Sequence, residues 1–134
     1  PAPASIKEIT SGNLKKAWGG IAGIQFLLTA SWTALKDLMS LEQFIPLVTS
    51  KPAQFLKVDK KGTIAVGNDA DIVIWNPSQT QVIQESDIFF KHKISPYIGQ
   101  ELNGVVLETI VNGQTVYQNQ IIQNKNKGQW LLRK

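Results

Sequence analysis

The sequence predicts an α/β chain with its helices first and its strands last. Three observations carry that prediction. Apolar residues recur at helical spacing at Ile24, Leu27, Leu28, Trp32, Leu35, Leu38 and Met39. From Gly62 onward the period changes to two, in short β-rich runs. Near the end, Asn112-Gly113 stands between two such runs, a strong hairpin signal.

Taken in order, Pro1, Pro3, Ser5 and Ser11-Gly12-Asn13 punctuate a loop-rich entry. Gly19-Gly20 precedes the first amphipathic helix. Ser40, with Gln43 three residues on, reads as an N-cap with a capping box for a second helix through Leu41, Phe44, Ile45, Leu47 and Val48. Pro46 is expected to kink that helix or break it early. Ser50-Lys51-Pro52 opens a last short turn through Phe55 and Leu56. In the second half, Ile64 to Val66 and Ile72 to Trp75 read as strands separated by the turn pair Gly67-Asn68, the second stopping at Asn76-Pro77. Gln81 to Ile83 is a further candidate. Val105 to Val111 and Gln114 to Tyr117 flank Asn112-Gly113, and the tail from Gln118 to Lys127 is expected to wrap the surface before Trp130.

Composition excludes several classes. The chain of 134 residues holds 14 basic and 10 acidic side chains, 43% hydrophobic residues and no Cys. That is the make-up of a folded single domain, without a disulfide framework, a thiolate metal site or a thiol nucleophile. The net charge of +4 comes from scattered Lys residues and a single Arg, with no aromatic interleaving, so nucleic acid is not an expected partner. The least charged stretch, Ala17 to Leu35, carries Gly, Gln, Thr and Ser throughout and makes a poor membrane span. No export signal is legible at the N-terminus, and a cytoplasmic location is the expectation.

Few residues could carry chemistry. His92, in Phe89-Phe90-Lys91-His92-Lys93, is the sole imidazole, and a catalytic metal needs three or more converging ligands. A structural or surface role is the simpler reading. Asp69 and Asp71 fall two apart and would face the same way on a strand; a paired-carboxylate site is conceivable, but Gly67 to Asp71 reads more simply as turn chemistry. No nucleophile elbow accompanies His92. Gly19-Gly20-x-x-Gly23 opens a helix and could cradle an anion, yet it follows no strand and lacks a Walker lysine.

Several segments resemble one family. Ala17-Trp18-Gly19-Gly20-Ile21-Ala22-Gly23, Ser50-Lys51-Pro52-Ala53, and Lys61-Gly62-Thr63-Ile64-Ala65-Val66-Gly67-Asn68-Asp69-Ala70-Asp71-Ile72-Val73-Ile74-Trp75 are similar to the C-terminal part of the cyclic amidohydrolases, the group of dihydroorotases, hydantoinases and allantoinases. The Gly-x-Ile-x-x-Gly-x-Asp-Ala-Asp pattern is common to the wider amidohydrolase superfamily. His92-Lys93-Ile94-Ser95-Pro96-Tyr97-Ile98-Gly99 and Gly128-Gln129-Trp130-Leu131-Leu132 resemble allantoinases in particular, as does Trp18-Gly19-Gly20-Ile21-Ala22, where hydantoinases tend to carry Asn-Gly-Gly-Pro-Gly.

The resemblance implies the C-terminal portion of a TIM-barrel hydrolase. Residues 1–58 would be the last barrel helices, and residues 59–134 the C-terminal strands and tail of the accessory β-sandwich. A full barrel takes roughly 250 residues. In the family two divalent ions, zinc by expectation, are bridged by a carboxylated Lys and held by a His-x-His pair, two further His and one Asp. That Asp lies in an Asp-His-Ser-Pro stretch of which Pro1-Ala2-Pro3 resembles the continuation, so every ligand is expected upstream and none falls in this chain. No catalytic residue is carried over. The backbone of Ala17, Trp18 and Gly19 is implied to meet the substrate, while helix-start geometry with close-packing glycines explains the same residues equally well. The expected partners are a small cyclic ureide, the N-terminal barrel portion, and further copies of the chain in a homo-oligomer. The expected reaction of the parent chain is allantoin hydrolysis to allantoate. The alternatives are a hydantoinase, dihydropyrimidinase or dihydroorotase relative, a metal-free scaffold derived from the fold, or an unrelated basic binding domain.

Overall fold

The computed structural model describes residues 2–8, 10–123, 128 and 131. Four helices come first: α1 Ala4–Lys7, α2 Leu27–Leu35, α3 Leu41–Val48 and α4 Ser50–Leu56, with a 3-10 turn at Ile24–Phe26 leading into α2. Four strands follow, β1 Ile72–Val82, β2 Glu101–Val111, β3 Gln114–Gln118 and β4 Ile121–Ile122. They form one antiparallel sheet in sequence order.

The Ser40 capping box forms as read. The Gln43 N–H donates to the Ser40 hydroxyl at 3.4 Å, and the Ser40 N–H donates to the Gln43 side-chain carbonyl at 3.0 Å. Pro46 does not end α3. The break comes at Thr49, whose φ of −128° and ψ of −89° separate α3 from α4. The Thr49 hydroxyl donates to the Ile45 carbonyl at 2.8 Å, occupying an acceptor near the broken end. Proline removes its own N–H and crowds the Glu42 carbonyl one turn back, yet with the first turn fixed by the capping box α3 continues two residues past it.

Two strand expectations are corrected. Ile64 to Val66 is not a strand. Its backbone closes on itself, with the Asn68 N–H on the Ala65 carbonyl and the Asn68 amide on both oxygens of Thr63, so no neighbouring strand pairs with it. β1 does not stop at Asn76-Pro77 either. It runs on to Val82 and absorbs most of the Gln81 to Ile83 candidate, because its register with β2 slips between Asn76 and Thr80. Pro77 therefore sits in a bulge, where its missing N–H breaks no ladder bond. Asn112-Gly113 makes the expected turn, with φ of 50° and 74° at the two positions. The expected surface tail is corrected in its first part: Gln118 closes β3 and Ile121–Ile122 pair back on it as β4, while residues 124–127 and Trp130 lie outside the described residues.

Helix α2 joins the halves, because one face of it carries both core residues and the donors and acceptors that the bulge needs. Phe26, just before it, packs with Ile83, Ile88 and Leu102 in a buried cluster flanked by Ala30, Phe90 and Tyr97. Trp32 packs on Phe44 and edge-on against Trp75, with ring centroids 5.2 and 6.1 Å away. The Trp32 indole N–H donates to the Pro77 carbonyl at 3.0 Å, and the Asn103 N–H donates to the Thr33 hydroxyl at 2.7 Å. Two backbone groups at the irregular register thus find side-chain partners on α2.

Candidate functional site

The Ala17–Gly19 segment lies in the loop between α1 and the 3-10 turn, and its position follows from a few local bonds. Asn13 accepts the N–H groups of Lys16 and Ala17 on its carbonyl, which turns the chain toward α1. The Trp18 N–H then donates to the Ile6 carbonyl at 2.9 Å, and Lys7 Nζ donates to the Gly20 carbonyl at 2.5 Å. Trp18 is 63% exposed. The loop and α1 enclose a shallow depression of about 430 Å³, lined by Pro3, Ile6, Lys7, Trp18, Gly19 and Ile21 among others.

Along this loop, among the described residues, nothing hydrogen-bonds to the carbonyls of Ala17 and Trp18 or to the N–H of Gly19. The Trp18 carbonyl and the Gly19 N–H share one trans peptide and point in opposite directions, so only one of the two can face a given ligand. A Cβ built on Gly19 meets nothing within 4 Å, and its φ lies outside the left-handed region. Neither close packing nor backbone strain requires glycine there. The anion-cradle reading of Gly19-Gly20-x-x-Gly23 loses its donor at Gly23, whose N–H goes to the Ile21 carbonyl at 3.1 Å.

The other candidates resolve as structure. Lys61 binds both acidic residues, Asp69 at 2.9 Å and Asp71 more closely still. The second Asp71 oxygen accepts the Asn112 N–H at 2.7 Å, and the Gly113 N–H donates to the Ala70 carbonyl. Lys61 and then the Asn112 N–H hold the Asp71 carboxyl below its ordinary range, and Asp71 with Asp69 raises the Lys61 ammonium. This is a buckle between the 61–71 loop and the β2–β3 turn. His92 is half-buried in the bend before Ile94.

Metal chemistry finds no cradle in these residues. Among the described residues no three of His, Cys, Asp and Glu converge, and the Asp69 and Asp71 pair is engaged by Lys61. The implied pair of divalent ions does not fit this donor set. Among the described residues, no helix is long and apolar enough to cross a membrane. The larger hollow, about 1920 Å³ between the helices and the sheet, is lined largely by apolar side chains such as Leu27, Ile45, Ile72 and Val116.

The profile of the amidohydrolase family matches residues 17–116, from the exposed loop into β3. The chain belongs to the amidohydrolase family. Allantoinases of Escherichia coli O1:K1 and of Escherichia coli K12 are each 35% identical over 136 residues, covering 99% of this chain and 29% of their own length. Among solved structures, the L-hydantoinase (dihydropyrimidinase) of Arthrobacter aurescens superimposes with a TM-score of 0.74 at 30% identity, over 83% of this chain and 25% of its own. The D-hydantoinase (dihydropyrimidinase) of Thermus sp. gives 0.81 over 93% of this chain and 28% of its own; at 21% identity it speaks for the fold alone. This amidohydrolase chain thus spans under a third of the length of the relatives it matches. Its small antiparallel sheet and helices are an α/β arrangement shared with amidohydrolases that are TIM-barrel proteins.

Sequence reasoning missed Trp32 and Thr33 as partners of the bulge. Trp32 reads only as an apolar helix position.

Proposed function

We propose that this chain is the C-terminal part of a metal-dependent cyclic amide hydrolase of the allantoinase type. The observation that carries this reading is the 35% identity to allantoinases across 99% of the chain. Hydantoinase relatives at 30% identity favour a hydantoin or dihydropyrimidine ring as the second reading. Amidohydrolases generally use a divalent metal. When bound, such ions activate water and polarise the amide, and in this proposal their ligands lie on polypeptide preceding residue 1.

The part played by this chain is binding. A cyclic ureide presents alternating N–H donors and carbonyl acceptors at its edge. The Ala17 carbonyl and the Gly19 N–H, an acceptor and a donor on either side of Trp18, offer a complementary pair on one loop. Backbone groups fixed at both ends of a loop hold such a ring without the rotamer cost of side chains. Glycine at position 19 lets the ring approach the backbone. Trp18 presents an indole that can cover the bound ring and exclude water.

The test is Gly19→Val in the complete enzyme, assayed on allantoin, hydantoin and dihydrouracil. Because a Cβ at Gly19 has open space, the fold should survive. The expected result is a fall in kcat/KM of about a hundredfold, the cost of a misplaced reacting group, with bound metal unchanged. Undiminished activity would remove the loop from the site. The substrate with the highest wild-type kcat/KM decides between the two readings. The 134-residue chain by itself is expected to take up no stoichiometric zinc and to hydrolyse none of the three.

A further inference from the structure

We infer that Gln25 is a positioning residue for the Ala17–Gly23 loop, its side-chain amide gripping the backbone on either side of Ile88 and so fixing where the loop leaves the site. The inference rests on the loop reading proposed above. Gln25 Nε2 donates to the Asp87 carbonyl at 2.6 Å, and the Phe89 N–H donates to Gln25 Oε1 at 3.0 Å. One planar amide thus pairs with a carbonyl and the N–H two residues on, as a neighbouring strand would.

Both sides of the grip are firm. Ile88, between the gripped groups, is fully buried and shares a core cluster with Phe26, the residue after Gln25. Phe26 anchors the chain inward while Gln25 anchors it along the surface. The Asp87 carboxylate accepts the Gln84 N–H at 2.8 Å and the Gln81 amide at 3.2 Å, which ties the gripped segment to the end of β1. At the other end of the loop, Ile6 and Lys7 hold Trp18 and Gly20. The backbone groups proposed to meet the ring lie at the α1-held end, and Ile21 to Ile24 connect them to Gln25 and Phe26. Losing the Gln25 grip leaves Phe26 as the anchor at the far end, with the connecting stretch less tightly placed.

Leucine fills the space of Gln25 and makes neither bond. Glutamate keeps the acceptor for the Phe89 N–H and loses the donor to the Asp87 carbonyl. The experiment measures amide exchange and steady-state kinetics on the complete enzyme carrying Gln25→Leu or Gln25→Glu. In Gln25→Leu, exchange at Phe89, and at Trp18 and Gly23, whose amides are hydrogen-bonded in the loop, should quicken about tenfold while β1 and β2 stay protected. KM for the cyclic amide should rise about tenfold. kcat should stay within about twofold and bound metal should not change. Gln25→Glu should fall between wild type and Gln25→Leu in both measurements. Unchanged exchange at Phe89 and in the loop overturns the inference, and so does a fall in kcat with KM unaltered. A wild-type enzyme that turns over no cyclic amide overturns the functional reading instead, and Phe89 exchange then judges the grip by itself.

Discussion

The backbone of Gly104 lies against the indole of Trp75 so closely that a Cβ on Gly104 would stand 2.5 Å from Cζ3 of that ring. Trp75 in turn meets Trp32 edge-on at 6.1 Å and Phe44 at 6.5 Å, so the ring has aromatic neighbours on that side.

Gly104→Ala is therefore expected to destabilise the fold by about 3 kcal/mol, combining overpacking with a left-handed φ of +90°. Gly67 provides the control, because its φ is +92° and a Cβ there meets nothing within 4 Å. Gly67→Ala should cost only the backbone part, about 1–2 kcal/mol. Urea midpoints of the two variants separate contact from strain. Equal losses would mean that Trp75 yields freely.

The buckle of Lys61, Asp69 and Asp71 gives stability a pH dependence with a fixed sign. Asp71 is held below its ordinary 3.8 in the folded state, by Lys61 first and the Asn112 N–H second. A depressed carboxyl contributes its stability above the unfolded value and loses it as pH falls through the folded one, so the acid-side loss lies below about pH 3.8. Lys61 is raised above 10.5, and its share is lost as pH climbs beyond that value. Burial, with a smaller effect of the Asp87 charge, also raises the Tyr117 hydroxyl above 10.0, which acts in the same alkaline direction. Asp71→Asn should flatten the acid limb of a Tm-against-pH curve and leave the region between pH 5 and pH 9 nearly level, since exposed pairs are worth about 0–1 kcal/mol. An acid limb as steep in Asp71→Asn as in wild type would place the titration elsewhere.

How far the fold could be read from sequence depended on whether the deciding partner was local. The Ser40 capping box and the Asn112-Gly113 turn are completed within four residues, and both formed as read. The Asp69-x-Asp71 pair was legible as turn chemistry, but its cation, Lys61, and the Asn112 N–H it receives come from farther away. Asn76-Pro77 ends strands in general, so the sequence predicts too short a β1. Here a bulge in the pairing with β2 absorbs the proline, and Trp32, 45 residues earlier, takes up its carbonyl. Ile64 to Val66 failed in the opposite sense: its residues suit a strand, but the Asn68 turn leaves it no partner. The Ala17–Gly19 loop is visible in sequence only as a motif, while the Gln25 grip spans more than sixty residues and leaves no local trace.

The last prediction concerns the apolar surface. Ile24 is 93% exposed, Phe55 86%, Ile64 88% and Val66 fully so, and Leu27 and Leu56 are also more than half exposed. Several of them line the rim of the 1920 Å³ hollow between helices and sheet. Contiguous apolar patches beyond a few hundred Å² drive association in water at about 25 cal/mol per Å² removed. The 134-residue chain in isolation should therefore self-associate, its sedimentation coefficient climbing with concentration across the micromolar range. Phe55→Glu with Val66→Lys should suppress that climb. Both side chains make little contact with the rest of the chain, so Tm should hold within the few degrees that a change of about 0.5 kcal/mol produces. A single boundary at the monomer position over the whole range would show that these side chains, although exposed, do not form a continuous adhesive face.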